Sequence, residues 1–284
     1  MQQPELRDYL SRAAQVIRSV QGPQPPPFQE TPQGALHTAV DLGTAYVVLA
    51  VLDENYQPLV GEYQFAEVAR DGLVVDFVGA VDIITAMKAR VEERINRELT
   101  HAATGYPPGV PQVEVRATAN VVEGAGMTCT KMIDEPTAAN AVIGLENGVI
   151  VDVGGGTTGI AILKEGEVVY TADEPTGGTH FSLVIAGAHD IPFAEAETMK
   201  LIPDEQPRLF PVIRPVIEKV ATIISRHIEG FDVGRITLVG GASAFLGFAQ
   251  VVEEVTGLPA WVPDHPALVT PLGIAWYDQP DRNL

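Results

Sequence analysis

The stretch NGVIVDVGGGTTGIAIL, residues Asn147–Leu163, places a glycine-rich turn between two apolar runs. Asp152 lies near the end of the first run, and three glycines, Gly154 to Gly156, follow it. Apolar runs on both sides of a short turn predict a β-hairpin. Glycines at the turn allow backbone N–H groups to approach an anion without a Cβ in the way. The stretch therefore predicts a hairpin whose turn binds phosphate.

The same arrangement occurs earlier, in HTAVDLGTAYVVLAVL, residues His37–Leu52, where Asp41 precedes the turn residues Gly43 and Thr44. One Asp-x-Gly is ordinarily a β-turn with glycine at positive φ, but two copies with matching flanks indicate two related halves. Because the two carboxylates repel phosphate, the pair predicts an intervening Mg²⁺ and hence a Mg-nucleotide. A Walker loop would require Gly-Lys-Ser/Thr, and a dinucleotide fingerprint would lead into a helix rather than a strand.

The intervening segments predict helices and strands in alternation. Apolar residues at helical spacing predict a helix over Ala80–Glu98, and the turn residues 105–109 precede a predicted strand, Gln112–Thr118. Asp134-Glu-Pro-Thr-Ala-Ala predicts a helix that opens at Pro136 and closes near Gly144. Strands interleaved with helices indicate α/β layering.

Three further segments supply candidate site residues. Glu135 lies at the positive end of its helix, which suits a carboxylate that orients water, although a plain acidic N-cap is the alternative. Glu197 and Lys200 are three apart on a predicted helix, and the alternative for them is a solvated ion pair. Gly240 and Gly241 follow an apolar strand, where they permit close approach to a flat ligand ring.

The N-terminal segment reads as an amphipathic helix, residues 1–20, followed by a Pro-rich linker, residues 21–34. Leu6, Leu10 and Ile17 lie on its apolar face. Either the helix docks on the first lobe as an ordinary start of a domain, or it is a tethered docking element. In the second case it resembles the encapsulation peptides of enzymes packed inside bacterial microcompartments.

Composition excludes several classes of partner. The formal charge of −19 repels nucleic acid and anionic membrane surfaces, and no apolar run approaches the roughly 18 residues that a bilayer span needs.

The single cysteine, Cys129, and the absence of an export signal indicate the cytoplasm. The six histidines show no paired metal-ligand spacing, so no structural metal is expected.

The order of these motifs resembles the actin/Hsp70/sugar-kinase ATPase superfamily over Thr38–Tyr277. The resemblance implies a two-lobed α/β fold, a ribonuclease H-like mixed sheet that is duplicated and flanked by helices. It implies a first lobe over residues 35–147, with a connecting helix at 134–144, and a second lobe over 148–269. Residues 270–284, which include Thr270-Pro-Leu-Gly-Ile-Ala275, would form a second connecting helix that returns to the first lobe.

A closer resemblance rests on five segments: Arg70–Ala80, His101–Thr104, Ile150–Lys164, Thr171–Gly178 and Ser225–Gly230. It is a resemblance, within that superfamily, to the EutJ family of ethanolamine-utilization proteins. It implies a chaperone-like or assembly factor that acts on ethanolamine ammonia-lyase or on microcompartment proteins, with closure of the lobes on nucleotide. The expected location is the cytoplasm, in association with a microcompartment.

The resemblance also assigns roles to residues, with ATP or ADP and Mg²⁺ as ligands. Asp41 and Asp152 would hold the cation, and Glu135 would position the attacking water. Glu197 and Lys200 would contact the ribose. The remaining nucleotide-binding residues would be Gly43, Thr44, Gly154, Gly155, Gly156, Thr157, Thr158, Gly177, Gly178, Gly240, Gly241 and Ala242.

Two features depart from the family pattern. Thr179-His-Phe181 follows Gly178, where chaperone relatives usually carry acidic residues, and the first lobe offers no counterpart of the Hsp70 catalytic lysine. Two functions therefore stay open. One is a slow ATPase that remodels a client enzyme, and the other is a nucleotide-gated or inactive scaffold of the pilus or division type, without significant turnover. A sugar kinase, the third alternative, would need an acidic base for a sugar hydroxyl, for which the sequence has no candidate.

Overall fold

A computed structural model describes residues 3–70 and 73–279. Positions 71 and 72, within the Arg70–Ala80 segment, lie outside the described residues. So do residues 1 and 2 of the predicted N-terminal helix and residues 280–284 of the predicted C-terminal helix. The chain divides into two compact units. The first unit runs to Gly144 and resumes at Leu268, and the second unit comprises Leu145–Ala267.

The first unit is built on a six-stranded mixed sheet. Up to Gly144 its elements are α1 (Gln3–Val16), β1 (Ile17–Ser19), β2 (His37–Leu42), β3 (Tyr46–Leu52), β4 (Pro58–Phe65), β5 (Ala69–Arg70), β6 (Leu73–Val74), α2 (Phe77–Ile95), β7 (His101–Tyr106), α3 (Gln112–Gly124), β8 (Thr128–Asp134) and α4 (Glu135–Ile143). The sheet order is β1-β4-β3-β2-β7-β8, and β5 and β6 form a separate two-stranded antiparallel sheet. Ile84, Met87 and Val91 of α2 are fully buried, as their helical spacing predicts.

The second unit is built on a five-stranded sheet of order β11-β10-β9-β12-β13. Its elements are β9 (Gly148–Val153), β10 (Thr158–Lys164), β11 (Glu167–Glu174), α5 (Gly178–His189), α6 (Phe193–Lys200), α7 (Gln206–Ile228), β12 (Ile236–Val239), α8 (Phe248–Thr256) and β13 (Ala260–Trp261). Ile213, Ile217 and Ile224 of α7 recur at helical spacing and are fully buried in the core of this unit.

The two sheets repeat one topology. In the first, β4-β3-β2 are antiparallel and β2-β7-β8 are parallel. In the second, β11-β10-β9 are antiparallel and β9-β12-β13 are parallel. Each half thus opens with a hairpin and continues with parallel strands, which confirms the predicted duplication and the mixed α/β fold.

The last helix, α9 (Val269–Trp276), belongs to the first unit and packs on α4. A Cβ on Gly273 would collide with the backbone carbonyl of Ala138 in α4. Small residues on both helices therefore permit a backbone-to-backbone crossing that a larger side chain would prevent. Helices thus lie within both segments for which the sequence predicts a connecting helix, and their role as connections between the lobes stays a prediction.

The N-terminal segment packs into the first unit. Leu6, Leu10 and Ile17 are 3%, 0% and 3% exposed, and Trp276 Nε1 donates to the Tyr9 hydroxyl over 3.1 Å. Ile17 does not extend the helix but enters β1, which pairs in parallel with β4. The linker is also attached, because Phe28 N–H donates to Arg94 O over 2.7 Å. Of the two alternatives, the structure favours the docked helix, which ends earlier than the sequence predicts.

The strand predicted at Gln112–Thr118 is wrong, because these residues begin α3. The turn residues 105–109 precede this segment and Val113 and Val115 also fit a strand, but the buried residues Val115, Ala119 and Val122 follow a helical interval of four and three. The error arises because a short segment rich in β-branched residues fits both periods. The parallel strands at this edge of the sheet are β7 and β8, which the sequence analysis did not predict.

Candidate functional site

The turn between β9 and β10 is held by hydrogen bonds on its carbonyl side. Gly154 N–H donates to Thr157 O over 3.0 Å and closes the turn. The carbonyl of Gly154 accepts from Gly178 N–H over 2.9 Å, and that of Gly155 accepts from Thr179 N–H over 2.8 Å. The N-terminal turn of α5 thereby fixes the glycine turn, and two of the orphan N–H groups of that helix are satisfied.

The same turn has amides that the fold does not use. Within the part of the chain that the structure describes, no hydrogen bond is donated by the N–H groups of Gly155, Gly156 or Thr157. Gly156 and Thr157 are buried. Since buried backbone donors are nearly always paired in folded proteins, successive amides of this kind are suited to an anion.

Gly177 is required at its position by space. A Cβ there would lie 2.7 Å from the carbonyl oxygens of both Gly154 and Gly155. Its φ of −154° is an extended value open to any residue, so close approach rather than conformation selects glycine. Thr158, the first residue of β10, holds the residue before Gly177, because its hydroxyl donates to Thr176 O over 2.5 Å.

Gly240 is required by conformation and by space together. Its φ is +83°, and a Cβ would lie 2.5 Å from Val153 O and against the Asp152 carboxylate. Gly241 then opens a short 3₁₀ helix, in which the Cβ of Ala242 lies 3.2 Å from the Cβ position of Gly178. The second unit thus brings together Asp152, the glycine turn, the Gly177-Gly178 pair and the segment from Gly240 to Ala242.

Glu197 and Lys200 form a buried ion pair rather than the solvated pair that was the alternative from sequence. Their residues are 7% and 9% exposed, and Lys200 Nζ lies 2.7 Å from Glu197 Oε2. Lys200 Nζ also donates to Gly178 O over 3.1 Å. Burial lowers the pKa of Lys200, and the charge of Glu197 opposes that shift.

In the first unit, the candidate residues of the β2–β3 turn lie at the end of a buried strand. Asp41 is half-buried on β2 and pairs across the ladder with Val48. A Cβ on Gly43 would lie 2.8 Å from Tyr46 O, so this turn also excludes a side chain at its glycine. Thr44 is half-buried in the turn itself.

Glu135 is the first residue of α4, and the cap of that helix is its neighbour. The carboxylate of Asp134 accepts from Thr137 N–H over 3.1 Å, so the capping role that was the alternative for Glu135 belongs to Asp134. Glu135 Cγ lies 3.5 Å from the Cβ position of Gly105 at the end of β7. The pKa of Tyr106 and that of Tyr277 are raised by burial and by the negative charge of Asp134.

Within residues 3–70 and 73–279, no group of three or more His, Cys, Asp or Glu side chains is arranged to hold a metal. That is compatible with Mg²⁺, which commonly takes one or two carboxylates plus phosphate and water ligands. In the same residues, no helix combines the length and apolar composition needed to cross a bilayer.

The sequence did not point to two residues, Ser182 and His180, that hydrogen-bond to candidate site residues. Ser182 Oγ donates to Glu197 Oε2 over 2.5 Å, and His180 Nδ1 accepts from Gly177 N–H over 3.3 Å. The spacing could have identified Ser182, because it lies four residues after Gly178 and therefore on the same face of α5. His180, one of the residues that depart from the family pattern, caps the N-terminus of α5.

Comparisons with known proteins agree with this geometry. The family model described as MreB/Mbl protein matches residues 61–189, and that of the cell division protein FtsA matches residues 149–273. MreB 5 of Spiroplasma citri bound to AMPPNP superposes with a TM-score of 0.72 at 18% identity, over 87% of this chain and 97% of that chain. The duplicated sheet and these matches define an actin-like ATPase fold.

Relatives with higher identity specify the family. EutJ of Salmonella typhimurium (strain LT2) is 42% identical over 253 residues, which are 89% of this chain and 88% of that protein. The crystal structure of EutJ from Carboxydothermus hydrogenoformans has a TM-score of 0.86 and 41% identity, and the match covers 98% of this chain and 100% of that chain. The chain belongs to the EutJ family of ethanolamine utilization proteins.

The chaperone protein HscA homolog of Chromobacterium violaceum is a more distant relative. It is 24% identical over 258 residues, which cover 73% of this chain and 42% of that chaperone.

Proposed function

We propose that this protein binds ATP and ADP together with Mg²⁺. The observation that carries the proposal is the β9–β10 turn, where the carbonyls are fixed by α5 and the amides of Gly155, Gly156 and Thr157 have no acceptor among the described residues. A phosphate group supplies the acceptors that such a turn lacks. The MreB 5 relative, which shares the fold, was solved with AMPPNP.

We propose the following residues for nucleotide binding, unit by unit. In the second unit these are the glycine turn with Thr157 and Thr158, the Gly177-Gly178 pair, and the segment from Gly240 to Ala242. In the first unit they are Gly43 and Thr44. Asp41 and Asp152 are the proposed cation ligands, and Glu135 is proposed to orient water. Bound Mg²⁺ would neutralise part of the phosphate charge.

For the biological role, we propose a chaperone-like or assembly factor of ethanolamine utilization in the cytoplasm. Its clients would be ethanolamine ammonia-lyase or microcompartment proteins. The relation to EutJ supports the setting, and the more distant relation to an HscA-type chaperone supports action on another protein. Nucleotide would regulate the client if the ATP-bound and ADP-bound states differ in client affinity.

A scaffold without significant turnover is the second candidate. It is favoured by the Thr179-His-Phe181 segment, where His180 serves as a helix cap instead of an acidic residue that could bind a cation. Phosphate release during incubation with Mg-ATP separates the two candidates. Tight binding without release would favour the scaffold.

The first prediction concerns Asp152, whose isosteric replacement Asp152→Asn should lower Mg-ATP affinity at least about tenfold, or roughly 1.4 kcal/mol. The reason is that the amide keeps the shape but loses the charge that attracts the cation. Isothermal titration calorimetry with and without Mg²⁺ measures the change, and the melting temperature verifies folding.

Asp190→Asn is the matched control. Asp190 is an exposed aspartate of the same unit with φ +54°, a conformation that asparagine tolerates. It should leave the affinity unchanged. A folded Asp152→Asn variant that binds Mg-ATP like its parent would refute the cation assignment, and a parent that binds neither nucleotide would refute the proposed function.

A further inference from the structure

The buried Lys200 of α6 hydrogen-bonds not only to Glu197 of the same helix but also to residues of α5. Lys200 Nζ has three acceptors within hydrogen-bonding distance: Gly178 O at 3.1 Å, Ser182 Oγ at 3.0 Å and Glu197 Oε2 at 2.7 Å. A lysine ammonium has three protons. These three acceptors account for all of them, so the ammonium has no proton left for a ribose hydroxyl.

The acceptor on Gly178 connects this pair to the glycine turn. Gly178 is the first residue of α5, and its N–H donates to Gly154 O, while the next amide, Thr179 N–H, donates to Gly155 O. The contacts therefore run from Lys200 to the first turn of α5 and from there to the carbonyls of the glycine turn. The peptide group between Gly178 and Thr179 is therefore held at both ends, because its carbonyl accepts from Lys200 and its N–H donates to Gly155 O.

The position of Ser182 closes this network. Its hydroxyl donates to Glu197 Oε2 and also lies 3.4 Å from Gly178 O, one helical turn earlier. Ser182 is fully buried. Because a buried charge with one partner removed is costly, the network has one favourable arrangement, which fixes α6 against the first turn of α5.

We propose that Lys200 is a positioning residue for the phosphate groups of the nucleotide and not a ribose contact. By holding the Gly178 carbonyl, Lys200 keeps the first turn of α5 in place, and that turn keeps the amides of Gly155, Gly156 and Thr157 directed at the phosphate. The inference rests on the proposed nucleotide function and specifies which part of the ligand depends on Lys200.

The test compares three ligands that differ in the groups they carry. Adenosine has the ribose without phosphate, pyrophosphate has phosphate without ribose, and ADP has both. Each is titrated with Mg²⁺ into the full-length parent, into Lys200→Met, and into the double variant Lys200→Met/Glu197→Gln, which leaves no buried charge without a partner. Lys219→Met, at an exposed lysine of α7 in the same unit, is the control.

A positioning role predicts that ADP and pyrophosphate each lose about tenfold or more in affinity, the usual scale for a buried hydrogen bond to a charged group, while adenosine changes less than about threefold. The double variant should show the same split, and the control should match the parent. Hydrogen exchange without ligand should become faster at the amides of Gly178 and Thr179.

Other results overturn the proposal. Equal losses for adenosine and ADP, with pyrophosphate unchanged, would make Lys200 a ribose contact. Unchanged binding of all three ligands in a folded variant would make the pair purely structural. A parent that binds none of the ligands would instead refute the proposed nucleotide function, with which this inference would also fall.

Discussion

At the scale of single residues, Glu135 should separate hydrolysis from binding. Asp134 already caps α4, so the Glu135 carboxylate is not needed for that purpose and sits where the helix dipole favours its charge. We predict that Glu135→Gln lowers ATP turnover by roughly 10²- to 10⁴-fold, the usual contribution of a group that orients or deprotonates water. ATP affinity should change less than about tenfold, because the turns and the cation supply most of it.

Turnover and affinity are measured on one preparation, by phosphate release and by calorimetry. Glu114→Gln is the matched control, since Glu114 is an exposed glutamate in the first turn of another helix, α3. It reports what the loss of a helix-terminal charge does by itself. Equal turnover in Glu135→Gln and parent would deny Glu135 a catalytic role.

At the scale of elements, the N-terminal helix should be part of the core. Leu10 of α1 is fully buried, so Leu10→Ala should cost about 2–5 kcal/mol of unfolding free energy. Deletion of residues 1–27 should lower the melting temperature strongly, because it also removes β1 from the edge of the sheet. Urea unfolding measures the first effect and thermal unfolding the second.

Gln15→Ala, at an exposed position of the same helix, is the control and should change the unfolding free energy by less than about 0.5 kcal/mol. If the deletion variant kept the melting temperature of the parent, the result would contradict the docked helix and support the tethered docking element. The same variant would then be the one to examine for lost association with a microcompartment protein.

At the scale of the whole molecule, the first and last helices of the chain meet at Tyr9 and Trp276. Burial raises the pKa of Tyr9 to about 12, partly offset by the hydrogen bond from Trp276. Because the folded pKa exceeds the ordinary value near 10, the stabilising contribution is complete below about pH 10 and is lost as the pH rises toward 12. Over that window the parent should lose up to roughly 2–3 kcal/mol of unfolding free energy through this group.

Tyr9→Phe should therefore flatten the decline of stability between about pH 10 and 12, while costing about 1 kcal/mol at neutral pH for the lost hydrogen bond. Denaturant unfolding at several pH values measures both. Tyr63→Phe, at a half-buried tyrosine of the same unit, controls for removal of a tyrosine hydroxyl. A decline equally steep in Tyr9→Phe and parent would contradict the assignment.

Much of the fold was determined by the sequence alone. The repeated Asp and glycine pattern around Asp41 and Asp152 predicted the two hairpins, and the helix from Asp134 to Gly144 was signalled at both ends by its capping residues. These features could be predicted because they are local: turn glycines, caps and apolar periodicity act within a few residues of each other.

The tertiary structure decided what depends on distant partners. Val113 and Val115 fit both a strand and a helix, and packing in the first unit selected α3. Leu10 and Ile17 fit both a docked and a tethered helix, and the buried contacts with the first unit selected docking. Glu197 and Lys200 were three apart in either case, but their burial beside Gly178 turned a surface pair into an internal support of the glycine turn. Periodicity shows which face of an element is apolar, whereas only the fold shows what that face packs against.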